Sequence, residues 1–217
     1  MRVDIWSDVV CPWCYVGKAR FDRALAAFEH RDQVVVRFHS YELAPNLPRG
    51  GSEPLLEALT RKFAGVPAAE IEGMEHRVAD AAREQGLAYR SDRRNGNTFD
   101  LHRLLHLAGD AGCQSAAVTA LNQAHFGAAL DVFDPQVALQ VFTGVGLPAA
   151  DVRRVQAGDT YADRVFADQR TARDLRITGV PFVVIGGTVG VGGARPTDLF
   201  TRALDQAWAR RPRQRVA

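Results

Sequence analysis

Cysteine is scarce in this 217-residue chain: Cys11, Cys14 and Cys113 are too few for a disulfide framework. Lysine is scarcer still, with Lys18 and Lys62 alone in an otherwise arginine set. The 27 basic side chains exceed the 25 acidic ones by 27 − 25 = 2, so no broad field for nucleic acid exists. No apolar run reaches the ~20 residues that cross a bilayer. Met1-Arg2 leads straight into a strand pattern containing Asp4 and Asp8, without the apolar stretch of a secretory leader. These absences imply a cytoplasmic protein with no membrane and no nucleic-acid partner, in a compartment where structural disulfides are rare. No GK[ST] follows a glycine-rich loop, so Gly186-Gly187 and Gly190 to Gly193 serve turns and not a phosphate site.

What the chain does contain is Cys11-Pro12-Trp13-Cys14, directly after the strand-like residues 3–10 and ahead of a helical pattern. Two thiols separated by two residues fit within one helical turn, close enough to close a disulfide. With Cys11 at the helix start, its sulfur faces unpaired backbone N–H groups and the positive end of the helix dipole. Both favour the thiolate, which is the reactive species. Pro12 suits the first helical position, where its missing N–H sacrifices no bond and its ring presets φ. Cys14, a turn inside, is expected to be the more buried, resolving thiol. Trp13, between the two, is expected at an exposed rim that meets substrate.

A lone CxxC also forms half of a zinc site, but structural zinc takes four ligands. Cys113 is the single remaining cysteine, and His102 and His106, spaced i, i+4, would have to complete a mixed set. A redox pair is the better reading, and no metal is expected. An ordinary helix-surface position is the expectation for both histidines. Cys113 is expected to behave as a small buried hydrophobe.

Periodicity places a strand at residues 3–6, a helix at 14–29 with Phe21, Ala24, Leu25 and Phe28 on one face, and a strand at 33–43. Pro45, Pro48, Gly50 and Gly51 punctuate a loop. Residues 53–175 read as helical, broken at Gly65-Val66-Pro67, Gly86-Leu87, Arg94-Asn95-Gly96, Gly109 to Gly112, Asp134-Pro135 and Gly144 to Pro148, with Asn97 and Asp134-Pro135 as helix starts. Strands follow at 181–185 and 188–191 around the Gly186-Gly187 turn, then a helix at 196–210 bearing Phe200, Leu204 and Trp208. The order β–α–β, helices, β–β–α defines an α/β fold. Residues 1–44 and 176–217 make a thioredoxin-like core, and residues 45–175 an inserted all-helical lid. Arg210, Arg211, Arg213 and Arg215 form a solvated basic tail. Pro181 opens an apolar strand, and on local chemistry its bond to Val180 reads as trans, since only about 5–6% of X–Pro bonds are cis.

Residues 4–18 (DIWSDVVCPWCYVGK), 97–106 (NTFDLHRLLH) and 178–182 (TGVPF) together resemble the DsbA-like thiol oxidoreductases. Within that family the FrnE-type branch fits best, a branch related to 2-hydroxychromene-2-carboxylate isomerases and kappa-class glutathione transferases. The likeness spans essentially the whole chain. It implies that Pro181 is a cis-proline packed beside the CxxC, and that the backbone of Val180 pairs with an extended substrate segment. It also places the 97–106 helix over the active-site groove. Two departures stand out. Ile5 occupies the position, six residues before Cys11, where thioredoxin and DsbA carry a buried carboxylate, with Asp4 and Asp8 out of register. Arg195 replaces a glutamine in the loop before the last helix, which leaves glutathione open as a co-substrate.

The expected activity is thiol–disulfide exchange by Cys11 and Cys14, with Pro12, Trp13, Val180 and Pro181 contacting a disulfide- or dithiol-containing protein or small molecule. No cofactor is required. The alternatives are a glutathione-dependent isomerase or transferase on the same fold, for which two cysteines are superfluous, and a non-catalytic or zinc-holding binding module.

Overall fold

The computed structural model describes residues 1–211, so Arg213 and Arg215 of the expected basic tail lie outside the described residues. Strand β1 (Arg2–Ser7) is central in a four-stranded sheet. It pairs in parallel with β2 (Val35–Ser40), from Arg2 opposite Val35 to Ser7 opposite Ser40. On its other side it runs antiparallel to β5 (Phe182–Ile185), which forms a hairpin with β6 (Val189–Gly192). Buried from Val3 to Trp6, β1 turns Val3 and Ile5 to one face of the sheet and Asp4 and Trp6 to the other. Gly186 and Gly187 turn the hairpin at φ +60° and +70°, a geometry that glycine adopts without steric cost.

Helix α1 (Pro12–Ala27) connects β1 to β2, and α9 (Thr197–Ala209) packs beside it, with Phe21 and Phe200 meeting edge to face at 5.7 Å. Between β2 and β5 lie α2 (Leu55–Lys62), α3 (Ala68–Glu84), α4 (Phe99–Asp110), α5 (Gln114–Asn122), α6 (Pro135–Gly144), α7 (Ala149–Ala157) and α8 (Ala162–Asp174). Asp134 caps α6 as the sequence announces, accepting a bond from the Gln136 N–H at 2.7 Å. The insert also holds features its helical pattern does not reveal. A short antiparallel ribbon joins β3 (Ser52–Pro54) to β4 (Arg94–Gly96), and residues Gln123–Gly127 form a π-helical turn.

One apolar cluster runs from the sheet (Val3, Ile5, Val183) through α1 and α9 into α4, α5, α6 and α7 (Leu104, Leu121, Phe142, Val152). A second contact sets Val16 of α1 against Val78 and Ala82 of α3. The insert also covers the free edge of β2. The Gln114 side chain accepts from the Phe38 N–H and donates to its carbonyl, both at 2.9 Å, while Asp168 accepts from the Ser40 N–H at 2.8 Å. An exposed edge would offer these groups to another chain; here two side chains replace a strand.

Candidate active site

Cys11 is the N-cap residue of α1, with extended dihedrals (φ −83°, ψ 107°), and Pro12 is the first helical residue, as its chemistry requires. No acidic side chain stands in the first turn to oppose a negative sulfur at the dipole's positive end. The Cys14 N–H donates to the Cys11 carbonyl at 3.0 Å, fixing the two cysteines one turn apart. Both thiols are free and both are covered, at 4% and 3% exposure, so Cys14 is not distinctly the more buried. What separates them is surroundings. Burial, reinforced by the adjacent Cys11, pushes the Cys14 thiol up, against smaller opposing contributions from the Asp8 N–H and the Ser7 hydroxyl. Trp13 is 40% exposed beside them.

The Val180–Pro181 bond is cis, against the trans reading from local chemistry and in line with the family resemblance. Local statistics miss it because the isomer is fixed by tertiary packing: the loop lies directly on α1. The Cys11 Sγ–H donates to the Val180 carbonyl at 3.5 Å. A Cβ on Gly17 would come within 2.9 Å of Pro181 Cγ and 3.4 Å of Ala194 Cα. Gly17→Ala would gain about 0.5–1 kcal/mol of helix propensity, but overpacking costs about 1–3 kcal/mol and prevails. The variant is expected to melt several degrees lower and to lose activity as the proline loop is pushed from Cys11. Unchanged Tm and turnover would remove Gly17 from the site.

His102 and His106 depart from the expected surface placement. Helix α4 is packed nearly all round, with Leu101, His102, Arg103, Leu104 and Leu105 all buried, so it has no broad solvent face. His102, 2% exposed, meets Asp8 Oδ1 through Nε2 at 3.2 Å, and Asp8 Oδ2 accepts from the Leu43 N–H at 2.7 Å. His106 Nε2 lies 3.1 Å from Ser40 Oγ and 3.2 Å from Asp168 Oδ2. Sequence reasoning missed the Asp8–His102 pair; the available signal was a charged residue inside the strand-like run before the CxxC. Ile5 packs in the apolar core, while Asp4 turns to the opposite face of the sheet and meets His39. Cys113, at the head of α5, is half-buried on the margin of the core. Arg195 is exposed and donates to the Gly192 carbonyl. Among the described residues no group of three or more His, Cys, Asp or Glu is arranged to hold a metal.

His39 sits between two carboxylates, with Nδ1 at 2.6 Å from Asp168 and Nε2 at 2.8 Å from Asp4, stacked on Trp6 at 4.6 Å. Burial alone would disfavour its charge, but the bonds and charges of Asp168, then Asp4, outweigh it and the pKa rises. Burial would likewise raise Asp168, but the bonds from His106 and His39 hold its carboxyl well below the usual range. A raised histidine stabilises fully below its ordinary value of about 6.5, and the benefit is lost as pH climbs through the folded value. A lowered aspartate stabilises above about 3.9, and the benefit is lost as pH falls through its depressed value. The cluster therefore contributes most between about pH 4 and 6.5. His39→Gln is expected to flatten the decline of Tm between about pH 6 and 9. Melting curves across that range check it, and equal slopes in the two proteins would refute the assignment.

A dithiol at the start of the first helix, beside a four-stranded sheet and facing a cis-proline, defines a thioredoxin-fold protein of the DsbA type. The DSBA-like thioredoxin domain matches residues 2–205, and the chain belongs to that family. A probable DsbA oxidoreductase from Streptomyces coelicolor is 46% identical, with a TM-score of 0.93 over 100% of this chain and 94% of that one. Two more distant structures share the fold. A 2-hydroxychromene-2-carboxylate isomerase is 15% identical (TM-score 0.71, covering 97% of this chain and 95% of the other). The cytosolic disulfide reductase DsbM from Pseudomonas aeruginosa, solved with glutathione, is also 15% identical (TM-score 0.63, 96% of each chain). Among the described residues no helix is long and apolar enough to cross a membrane.

Proposed function

We propose that the protein is a cytoplasmic thiol–disulfide oxidoreductase that works through Cys11 and Cys14. The observation that carries this reading is the placement of Cys11 Sγ at the N-cap of α1, 3.5 Å from the carbonyl that precedes cis-Pro181, with Cys14 one turn further along the helix.

In the reducing direction the Cys11 thiolate attacks a substrate disulfide. One S–S bond breaks, a mixed disulfide forms, and one substrate thiolate leaves. The substrate's extended backbone pairs at Val180, displacing the bond between Cys11 and the Val180 carbonyl, while Pro12 and Trp13 form the rim. Cys14 then loses its proton and attacks Cys11 Sγ, closing the Cys11–Cys14 disulfide and releasing the second thiolate. Two electrons have passed to the substrate, and a dithiol or two molecules of glutathione restore the reduced pair. The raised Cys14 thiol keeps the two roles distinct, since a protonated Cys14 does not compete for first attack.

Cys14→Ser removes the resolving thiol alone. The variant, incubated with an oxidised peptide, is expected to accumulate a covalent adduct on Cys11, visible by intact mass and released by dithiothreitol. Failure to trap any adduct, with the protein folded, would overturn the reading.

A further inference from the structure

The mechanism leaves one proton without a destination. Cys14 must surrender it inside the protein, and Ile5, which lines the same cavity, has no group to receive it. Two small cavities share Ser7 and Phe38 in their walls, and one of them reaches Cys14. One, of about 10 Å³, is lined by Cys14, Ser7, Lys18 and Phe38. The other, of about 20 Å³, is lined by Ser7, Asp8, Ser40, His102 and His106, and also by Phe38. The second sets these polar groups in an otherwise mostly apolar wall and is large enough for one water. Ser7 borders both, and its hydroxyl opposes the upward push of burial on the Cys14 thiol. Across the second cavity stands the buried Asp8–His102 pair described above.

We infer that the Asp8–His102 pair receives the Cys14 proton, relayed by the Ser7 hydroxyl and a water in the adjoining cavity. The inference rests on the thiol–disulfide reading and names how its second step is deprotonated. The balance is simple. The Cys14 S–H proton passes to Ser7 Oγ as the hydroxyl proton moves on to the water, and one proton arrives on the pair. The electron pair left on Cys14 Sγ forms the bond to Cys11 Sγ, and the bond from Cys11 to substrate breaks with its electrons on the leaving thiolate. The pair returns its proton to solvent before the next cycle.

Other charged groups bear on this path. Glu42, following β2, interacts electrostatically with both members of the pair and with Arg49 in the loop beyond, and burial raises its carboxyl. His39 and His106 border the same cavity, and His106 leads through Asp168 to an open groove on the β2 edge. Lys18 borders the Cys14 side but its ammonium is engaged by Asp22 at 2.6 Å. Asp8–His102 is the buried acid–base pair on the second cavity, and Ser7 is the polar residue common to that cavity and the one lined by Cys14.

Reduced protein carrying Cys113→Ala, mixed with excess Ellman's reagent in a stopped-flow instrument, separates the steps. Attack by Cys11 releases one thionitrobenzoate and resolution by Cys14 releases the second. Asp8→Asn, His102→Gln and Ser7→Ala are compared from about pH 5 to 9. The first phase is expected to match the parent within about twofold. The second is expected to slow about tenfold near neutrality for Asp8→Asn and His102→Gln. That falls below the ~10²-fold typical of positioned bases, because solvent substitutes in part. The slowed phase is also expected to keep rising with pH where the parent has levelled off. Ser7→Ala, the smallest change, keeps the test intact should either pair variant fail to fold, and is expected to slow the same phase. A second phase with the parent's rate and pH profile in all folded variants would overturn the relay and leave the oxidoreductase reading standing. A parent that releases a single equivalent would end both.

Discussion

Cys11→Ser is expected to bring dithiothreitol-driven insulin reduction down to the uncatalysed rate, a loss on the order of 10³-fold or more, as removal of a catalytic nucleophile typically causes. Serine is nearly isosteric, and its hydroxyl can still donate to the Val180 carbonyl as the thiol does at 3.5 Å. The cap position, the cis bond and the fold should therefore persist, and Tm should scarcely move. Oxygen cannot form the mixed disulfide, so the first covalent step disappears altogether. Cys14 does not take over. Burial, the largest influence on its thiol, persists in the variant and keeps it protonated. Cys113→Ala is the matching control, because that thiol sits at the head of α5 on the margin of the core, and its variant should turn over within about twofold of the parent. A Cys11→Ser protein that still reduces insulin would refute the mechanism outright.

The parts of this site that were legible in the sequence are those decided by neighbours in the chain. Pro12 at the first helical position, the Asp134 cap and the Gly186-Gly187 turn follow from local backbone chemistry, and each stands where that chemistry puts it. The strand and helix order of the core followed from hydrophobic periodicity, because each element buries one well-defined set of side chains. What escaped was settled by contacts between distant segments. His39 and Asp168 are 129 residues apart, and His102 and Asp8 are 94 apart. No periodicity announces that a histidine beside a leucine stripe turns inward, because α4 looks amphipathic in sequence while α7 and α8 cover its polar side. The cis bond at Pro181 was reachable by family likeness and not by propensity, since the proline ring lies against Gly17, 164 residues earlier in the chain. The β3–β4 ribbon was missed for a related reason: three-residue strands carry too little pattern to distinguish from loop.

Arg103→Met should be the most destabilising single change in the insert, lowering stability by about 3–5 kcal/mol, or roughly 6–20 °C in Tm for a chain of this size. Arg103 is 0% exposed, on the same helix as His102. Its Nε–H donates to the Thr160 carbonyl at 2.9 Å, its Nη2 to the carbonyls of Val155 and Gly158, and its Nη1 to Asp100 at 2.7 Å. Val155 lies in the last turn of α7 and Gly158 is its C-cap residue, where carbonyls have no partner within the helix. The guanidinium supplies the missing donors from another helix. Methionine fills similar volume without any of them, leaving three carbonyls short of donors, each costing about 1–3 kcal/mol where burial persists. Relaxation of the α7–α8 loop toward water recovers part of the sum. Arg103→Lys should fall between, since one ammonium does not span three carbonyls that a planar fork reaches together. The loss should spread to function, because α8 carries Asp168, which covers the β2 edge, and Gln169, which holds Glu42 at 2.7 Å. Thermal melts and urea titrations of the two variants measure the effect. A methionine variant melting within a degree or two of the parent would show that this buried cation contributes no more than the apolar contacts of its stem.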